Sequence, residues 1–308
     1  MNMTPPVTSI RIGTLLRQGA SPAESLRAVL PFGFESFQVN FWRTLGGMDL
    51  VREAAETREV LAQSGTIISS LAIFGNPLGD EEEDRATLDG WRECIEHARE
   101  FGTDLVCGFT GRLRGRSVPE SLPRFREVFG ELALRAADCG VRLAFENCWT
   151  GGSWASGDYN LATNPEAWEM IFDALPFPHL GLEWEPGHLC RQLIDPLPTL
   201  KTWAPRIFHV HGKDAVVHRH VIRAQGVFGS ERFAQERLPG FGESDWTAIM
   251  HELHRGGYRG CIDIEGWHDP VYRGDLELEG QRRALEHLQR CREAAAVLIA
   301  GEAQVQAS

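Results

Sequence analysis

Residues 207–214 read IFHVHGKD. Alternate side chains of an extended strand point to one face, so His209 and His211 share a side and Phe208 and Val210 take the other. Two imidazoles thus stand where a buried strand should present aliphatic groups. They are either a hydrogen-bonded pair in a core or part of a site built on strand ends. The neighbouring strands decide between these readings.

Outward from this stretch, β-rich runs recur at 9–15, 35–41, 66–74, 104–110, 141–147 and 180–185, with 207–212 seventh and 260–265 eighth. Segments with helical spacing lie at 48–64, 82–101, 119–139, 164–175, 196–203, 245–256 and 276–299. Strands alternating with helices predict an α/β fold with a parallel sheet. Eight is the number that closes a (β/α)8 TIM barrel, here a single domain over 1–308. An open doubly wound sheet would place G-x-G-x-x-G after the first strand, but GTLLRQGASPAES (13–25) lacks it. Residues 215–244 make an unusually long connection that keeps apolar and aromatic residues throughout, which predicts an ordered lid over the strand ends. The last eight residues, GEAQVQAS (301–308), are expected to fray.

A net charge of −12 argues against a nucleic-acid partner, which would call for clustered Lys and Arg. The seven cysteines are dispersed with no C-x-x-C pair, as in reduced, cytoplasmic proteins. MNMTPPVTSI has neither a basic n-region nor an apolar h-region, and no apolar run reaches membrane-spanning length. A soluble, cytoplasmic protein without a signal peptide or a membrane partner is therefore expected.

Barrel active sites form at the C-terminal ends of the strands. The fifth strand ends LAFENCW, giving Glu146 and Asn147, and the sixth ends LGLEWEPGHL, giving Glu183, Glu185 and His188. The seventh is IFHVHGKD, and the eighth ends IDIEGWHD, with Asp263, Glu265 and His268. Taken singly, Glu146 or Glu265 could cap a helix or pair with an arginine. His188 could sit in a turn, and Lys213 and Asp214 could form a surface ion pair. His218, His220 and His268 read as solvated loop residues. Trp149, Trp154, Trp184 and Trp267 suit either core packing or the floor of a sugar site. Jointly the carboxylates carry more weight, because several converging on one rim without matching cations repel one another. A divalent cation removes that repulsion, and a carboxylate-rich set with one imidazole suits Mn2+, Mg2+ or Co2+ better than a structural zinc.

The run LEWEPGHL…DPLPTLKTWAPRIFHVHGKD…RLPGFGESDW…GYRGCIDIEGWHDP resembles the sugar phosphate isomerase/epimerase family with the xylose-isomerase-like barrel. That family includes ketose 3-epimerases and inosose-processing enzymes. The resemblance is strong from Glu146 to Asp269 and diffuse before it. It implies one divalent metal ion, with Mn2+ the leading choice over Mg2+, Co2+ or Zn2+, held by Glu146, Glu185, His211 and Glu265. His188 and His209 would contact the substrate, with Asn147, Lys213 and Trp149 beside them. The family carries Asp where this chain has Glu185, so Glu183 on the same strand face competes for that role.

The activity implied is that of a metal-dependent sugar isomerase or epimerase acting on a ketose or keto-sugar through an enediolate, with Glu146 and Glu265 as acid and base. The alternative is a lyase that expels a leaving group from the same enolate of a 3-keto-glycoside. A DNA-repair nuclease shares this barrel, but the charge opposes that reading, and a non-enzymatic sugar binder is the remaining alternative. The expected partners are a small-molecule sugar and, for a family whose barrels often pair, a second subunit of a homo-oligomer.

Overall fold

Apolar and β-branched runs form the strands, whose outer face is buried by helices and whose inner face fills the barrel. The computed structural model describes residues 9–16 and 21–307. Its strands are β1 (Arg11–Leu16), β2 (Ser36–Asn40), β3 (Ile67–Ile73), β4 (Leu105–Gly108), β5 (Arg142–Glu146), β6 (Leu180–Trp184), β7 (Ile207–Gly212), β8 (Asp214–Val217), β9 (Ala234–Arg237) and β10 (Cys261–Ile264). Eight of them close a parallel barrel in the order β1-β10-β7-β6-β5-β4-β3-β2. Every residue of β2, β4, β6 and β10 is buried. The register sets Glu146 opposite Glu183 and His211 opposite Asp263.

The covering helices begin where the sequence supplies caps. Asp49 accepts from the Arg52 amide ahead of Leu50–Leu61, and Ser117 and Glu120 cap each other's backbone at the start of Val118–Cys139. Asn164 and Asp245 cap Pro165–Ala174 and Trp246–Arg255.

Three features depart from the spacing. Helix Pro22–Val29 follows β1, where the period predicts none. Pro22 at its first position was the available start signal. Helix Pro186–Arg191 begins immediately beyond Glu185. The helix from Glu277 continues to Ala307, across most of the tail GEAQVQAS. Its Ala, Glu and Gln are strong helix formers, and they tolerate Gly301 at a cost of about 1 kcal/mol. Residues 215–244 hold β9, all of β8 but its first residue, Asp214, and the short helix Arg219–Gln225, with β8 and β9 paired antiparallel. Among the described residues, no helix is long and apolar enough to cross a membrane.

By internal contacts the chain groups into two units. One takes in the residues through Thr14, Glu185–Pro205 and the chain from Val210 onward, and so holds Glu185, His188, His211, Lys213, Glu265 and the β8–β9 pair. The other takes in Leu15–Trp184 and Arg206–His209, and so holds Gln38, Ser70, Glu146, Glu183 and His209. The division falls inside β1 and β7 rather than in a linker.

Candidate active site

Strand alternation generates two polar levels. Glu183 and Glu185 are two residues apart, and Glu185 is still extended at φ −141° and ψ 141°, so both point the same way. His209 and His211 repeat the relation on β7. At the deeper level, Gln38 donates from Nε2 to Ser70 Oγ at 2.8 Å and to Glu183 Oε1 at 2.5 Å. His209 Nδ1 lies 2.9 Å from the same Glu183 oxygen. These four side chains are almost wholly buried. Since β2 and β6 stand four places apart in the barrel order, the Gln38–Glu183 bond crosses the interior. Glu183 is thus engaged with Gln38 and His209, and Cys107 lies close enough to share a group with Glu183 and His209.

At the outer level, Glu185 Oε1 lies 3.0 Å from His188 Nε2. His211 Nδ1 is 3.6 Å from Glu265 Oε2 and 3.9 Å from Glu185 Oε2. Lys213 Nζ donates to Glu265 Oε1 at 3.0 Å and stands 3.9 Å from Glu185 Oε2. The ligand atoms of Glu185, His211 and Glu265 all lie within 4.8 Å of one another, and Glu146 is the last residue of β5. All four residues are buried.

Burial of so many carboxylates is costly unless a cation or proton compensates. Burial pushes the Glu185 carboxyl up to about 8, Lys213 pulling against it and Glu265 adding to it. Burial also works to raise Glu265, but Lys213, the hydrogen bond with His268 and the nearby His211 overcome it and hold Glu265 well below the usual carboxylate range. Burial, then Lys213, pushes His188 well below the ordinary imidazole value, so His188 is neutral. Glu265 Oε2 is a buried carboxylate oxygen that accepts no hydrogen bond among the described residues. An oxygen-rich set with one imidazole and such an unclaimed lone pair fits a divalent cation.

The remaining expected residues are placed as follows. His188 sits in the outer level, 3.3 Å from Lys213 Nζ. His209 lies in the deeper level against Glu183. Asn147 is fully buried, its amide donating to the Glu183 carbonyl at 3.3 Å. Trp149 is half-buried, with its indole NH donating to the Gly152 carbonyl. Trp184 belongs to the core, Trp267 is half-buried and Trp154 is exposed. Lys213 and Asp214 do not form the surface pair considered for them. Lys213 is buried on Glu265, whereas Asp214 accepts from Ser244 and Trp246. His218 and His220 place their rings 5.7 Å apart in the lid.

Sequence reasoning gave no site role to three residues. His268, read as a solvated loop residue, is exposed, and its Nε2 lies 2.9 Å from Glu265 Oε1. Its i,i+3 spacing from Glu265 was the available signal. Asn160 donates to the Glu146 carbonyl at 2.8 Å and to the Cys148 carbonyl at 3.0 Å, fixing the turn behind Glu146. Gln38 was signalled by a polar residue inside the apolar run SFQVN.

Comparison with known proteins agrees with this architecture. The chain is 29% identical over 174 residues to the Rhizopine catabolism protein MocC of Rhizobium meliloti, a match covering 52% of this chain and 46% of that protein, under half its length. Its fold is similar to that of 3-keto-D-glucoside 4-epimerase YcjR from E. coli, at 18% identity and a TM-score of 0.67 over 92% of this chain and 100% of the other. It is also similar to a xylose isomerase-like TIM barrel protein from Mycobacterium smegmatis in complex with magnesium, at 18% identity and a TM-score of 0.69 over 95% and 99% of the two chains. The family model for the xylose isomerase-like TIM barrel matches residues 26–295, and the chain belongs to that family.

Proposed function

We propose that this protein is a divalent-metal-dependent sugar isomerase or epimerase that moves a proton at the carbon next to a carbonyl. The observation that carries the reading is the convergence of Glu185, His211 and Glu265 within 4.8 Å, with Glu146 a fourth buried carboxylate at the end of β5. These residues would hold the cation, with Mn2+ the leading choice over Mg2+, Co2+ or Zn2+. Bound there, it would polarise the sugar carbonyl and lower the cost of the enolate. Lys213 and His268 keep Glu265 ionised, so it can take a proton at neutral pH. Glu146, on β5, supplies the second carboxyl, which would return the proton to the other face. Neutral His188 can accept or donate a hydrogen bond to a sugar hydroxyl. YcjR, by its name an epimerase of a keto-glucoside, supports a keto-sugar as the substrate class.

A lyase acting on 3-keto-glycosides shares the first step. Half-buried Trp149 and Trp267, which follow Glu146 and Glu265, favour it as a second reading because they could stack an aglycone. Solvent deuterium appearing at the carbon next to the carbonyl, read by proton NMR, tests both. Glu146→Gln and Glu265→Gln should each slow exchange by 100-fold or more, as loss of an acid or base does. Unchanged exchange in either variant would contradict the assignment.

A further inference from the structure

The lid brings one more carboxylate to the outer level. Glu236 lies opposite Ala215 in the β8–β9 pair, and directly opposed residues share a face. Lys213 immediately precedes β8, and its charge acts on the Glu236 carboxyl. Glu236 pairs with Arg191, the last residue of the helix that follows Glu185 and carries His188. Arg237 faces the other way and pairs with Asp269 at 2.9 Å, while the Leu238 amide donates to the same carboxylate at 3.0 Å. The strand that carries Glu236 is therefore tied both to the turn after β6 and to the turn after β10. Lys213 is already engaged by Glu265 at 3.0 Å, and Arg191 by Glu236. Neither cation is left with uncompensated charge for an anionic ligand. Burial works to raise the Glu236 carboxyl, yet Lys213 and Arg191 hold it below the ordinary range.

We propose that Glu236 restricts this site to uncharged sugars. Its carboxylate neutralises Arg191 and adds negative potential beside Lys213, so a phosphate or carboxylate substituent is repelled, while a neutral sugar can donate a hydroxyl to it. Discrimination by a like charge set against the wrong ligand is a general device of specificity. The sugar part of this inference rests on the function proposed above; the exclusion of anions does not.

Inorganic phosphate is the probe, titrated by calorimetry into the Mg2+-loaded protein. Wild type and Glu236→Asp should bind it weakly and alike. Glu236→Gln should bind it at least tenfold more tightly, and adding Arg191→Gln to that variant should remove the gain. Equal phosphate affinity in wild type and Glu236→Gln, or a gain that survives loss of Arg191, would overturn the proposal. If Glu236→Gln does not fold, Glu236→Ala carries the same comparison. Deuterium exchange on D-fructose and D-fructose 6-phosphate gives a second readout, in which the preference for the neutral sugar should fall at least tenfold in Glu236→Gln. Absence of exchange on every neutral ketose and keto-sugar would refute the proposed reaction, and the phosphate titration would still decide the role of Glu236.

Discussion

Glu185 is one methylene longer than the aspartate that the resemblance implies, and its protonation would tie metal binding to pH. Burial places its carboxyl at about 8, whereas a cation needs the ionised form. Metal uptake at pH 7 is therefore expected to release a proton, and affinity should rise about tenfold per pH unit between pH 6 and 8. Calorimetry in two buffers of different ionisation enthalpy reads that proton, and a pH-independent affinity would contradict the assignment. The stability of the metal-free chain runs the other way. Because the folded value lies above the ordinary 4.5, the folded chain binds more protons than the unfolded one from there up to about 8, and this contribution is lost as pH rises. His188, shifted below its ordinary 6.5, adds stability with rising pH only up to that value. From pH 7 to 8 the metal-free Tm should thus fall while the increment from added metal grows. At this scale His211, Glu185 and Glu265 were legible because strand alternation is a local rule. The deeper Gln38–Glu183–His209 set was not, because its partners meet only once the barrel has closed.

Among the elements, the lid depends on Asp214. Its carboxylate accepts from the Ala215 and Ser244 amides, from Ser244 Oγ at 2.7 Å and from Trp246 Nε1 at 3.2 Å. Gly242 is required beside it, since a Cβ there would come within 2.2 Å of the Asp214 carboxyl carbon. Asp214→Ala would leave buried donors without an acceptor, at a cost on the order of 3 kcal/mol. Hydrogen exchange in β8 and β9 should then speed up while the β5 and β6 amides keep their protection, and unchanged exchange in the hairpin would remove Asp214 from this role. The sequence marked 215–244 as a long ordered connection, but its β8–β9 pair escaped notice because AVVHRHV and FAQER lack a tight two-residue turn between them. Helices such as Leu50–Leu61 and Val118–Cys139 were legible from their spacing, whereas Pro22–Val29 was not read although Pro22 opens it.

For the molecule as a whole, eight parallel strands close one barrel. The count of eight alternating strands made that closure readable, since β1 pairing with β10 is the step that distinguishes a barrel from an open sheet. The sequence left the choice between Glu183 and Glu185 open, because both occupy the same face of β6. The structure separates them by level, Glu183 against Gln38 and His209, Glu185 against His188 and close to His211. Metal analysis by mass spectrometry of purified wild type, Glu185→Ala and Glu183→Gln tests this separation most directly. About one divalent ion per chain is expected in wild type and in Glu183→Gln, and none in Glu185→Ala. No metal in wild type even after Mn2+ is added, or loss of metal in Glu183→Gln with retention in Glu185→Ala, would contradict the account.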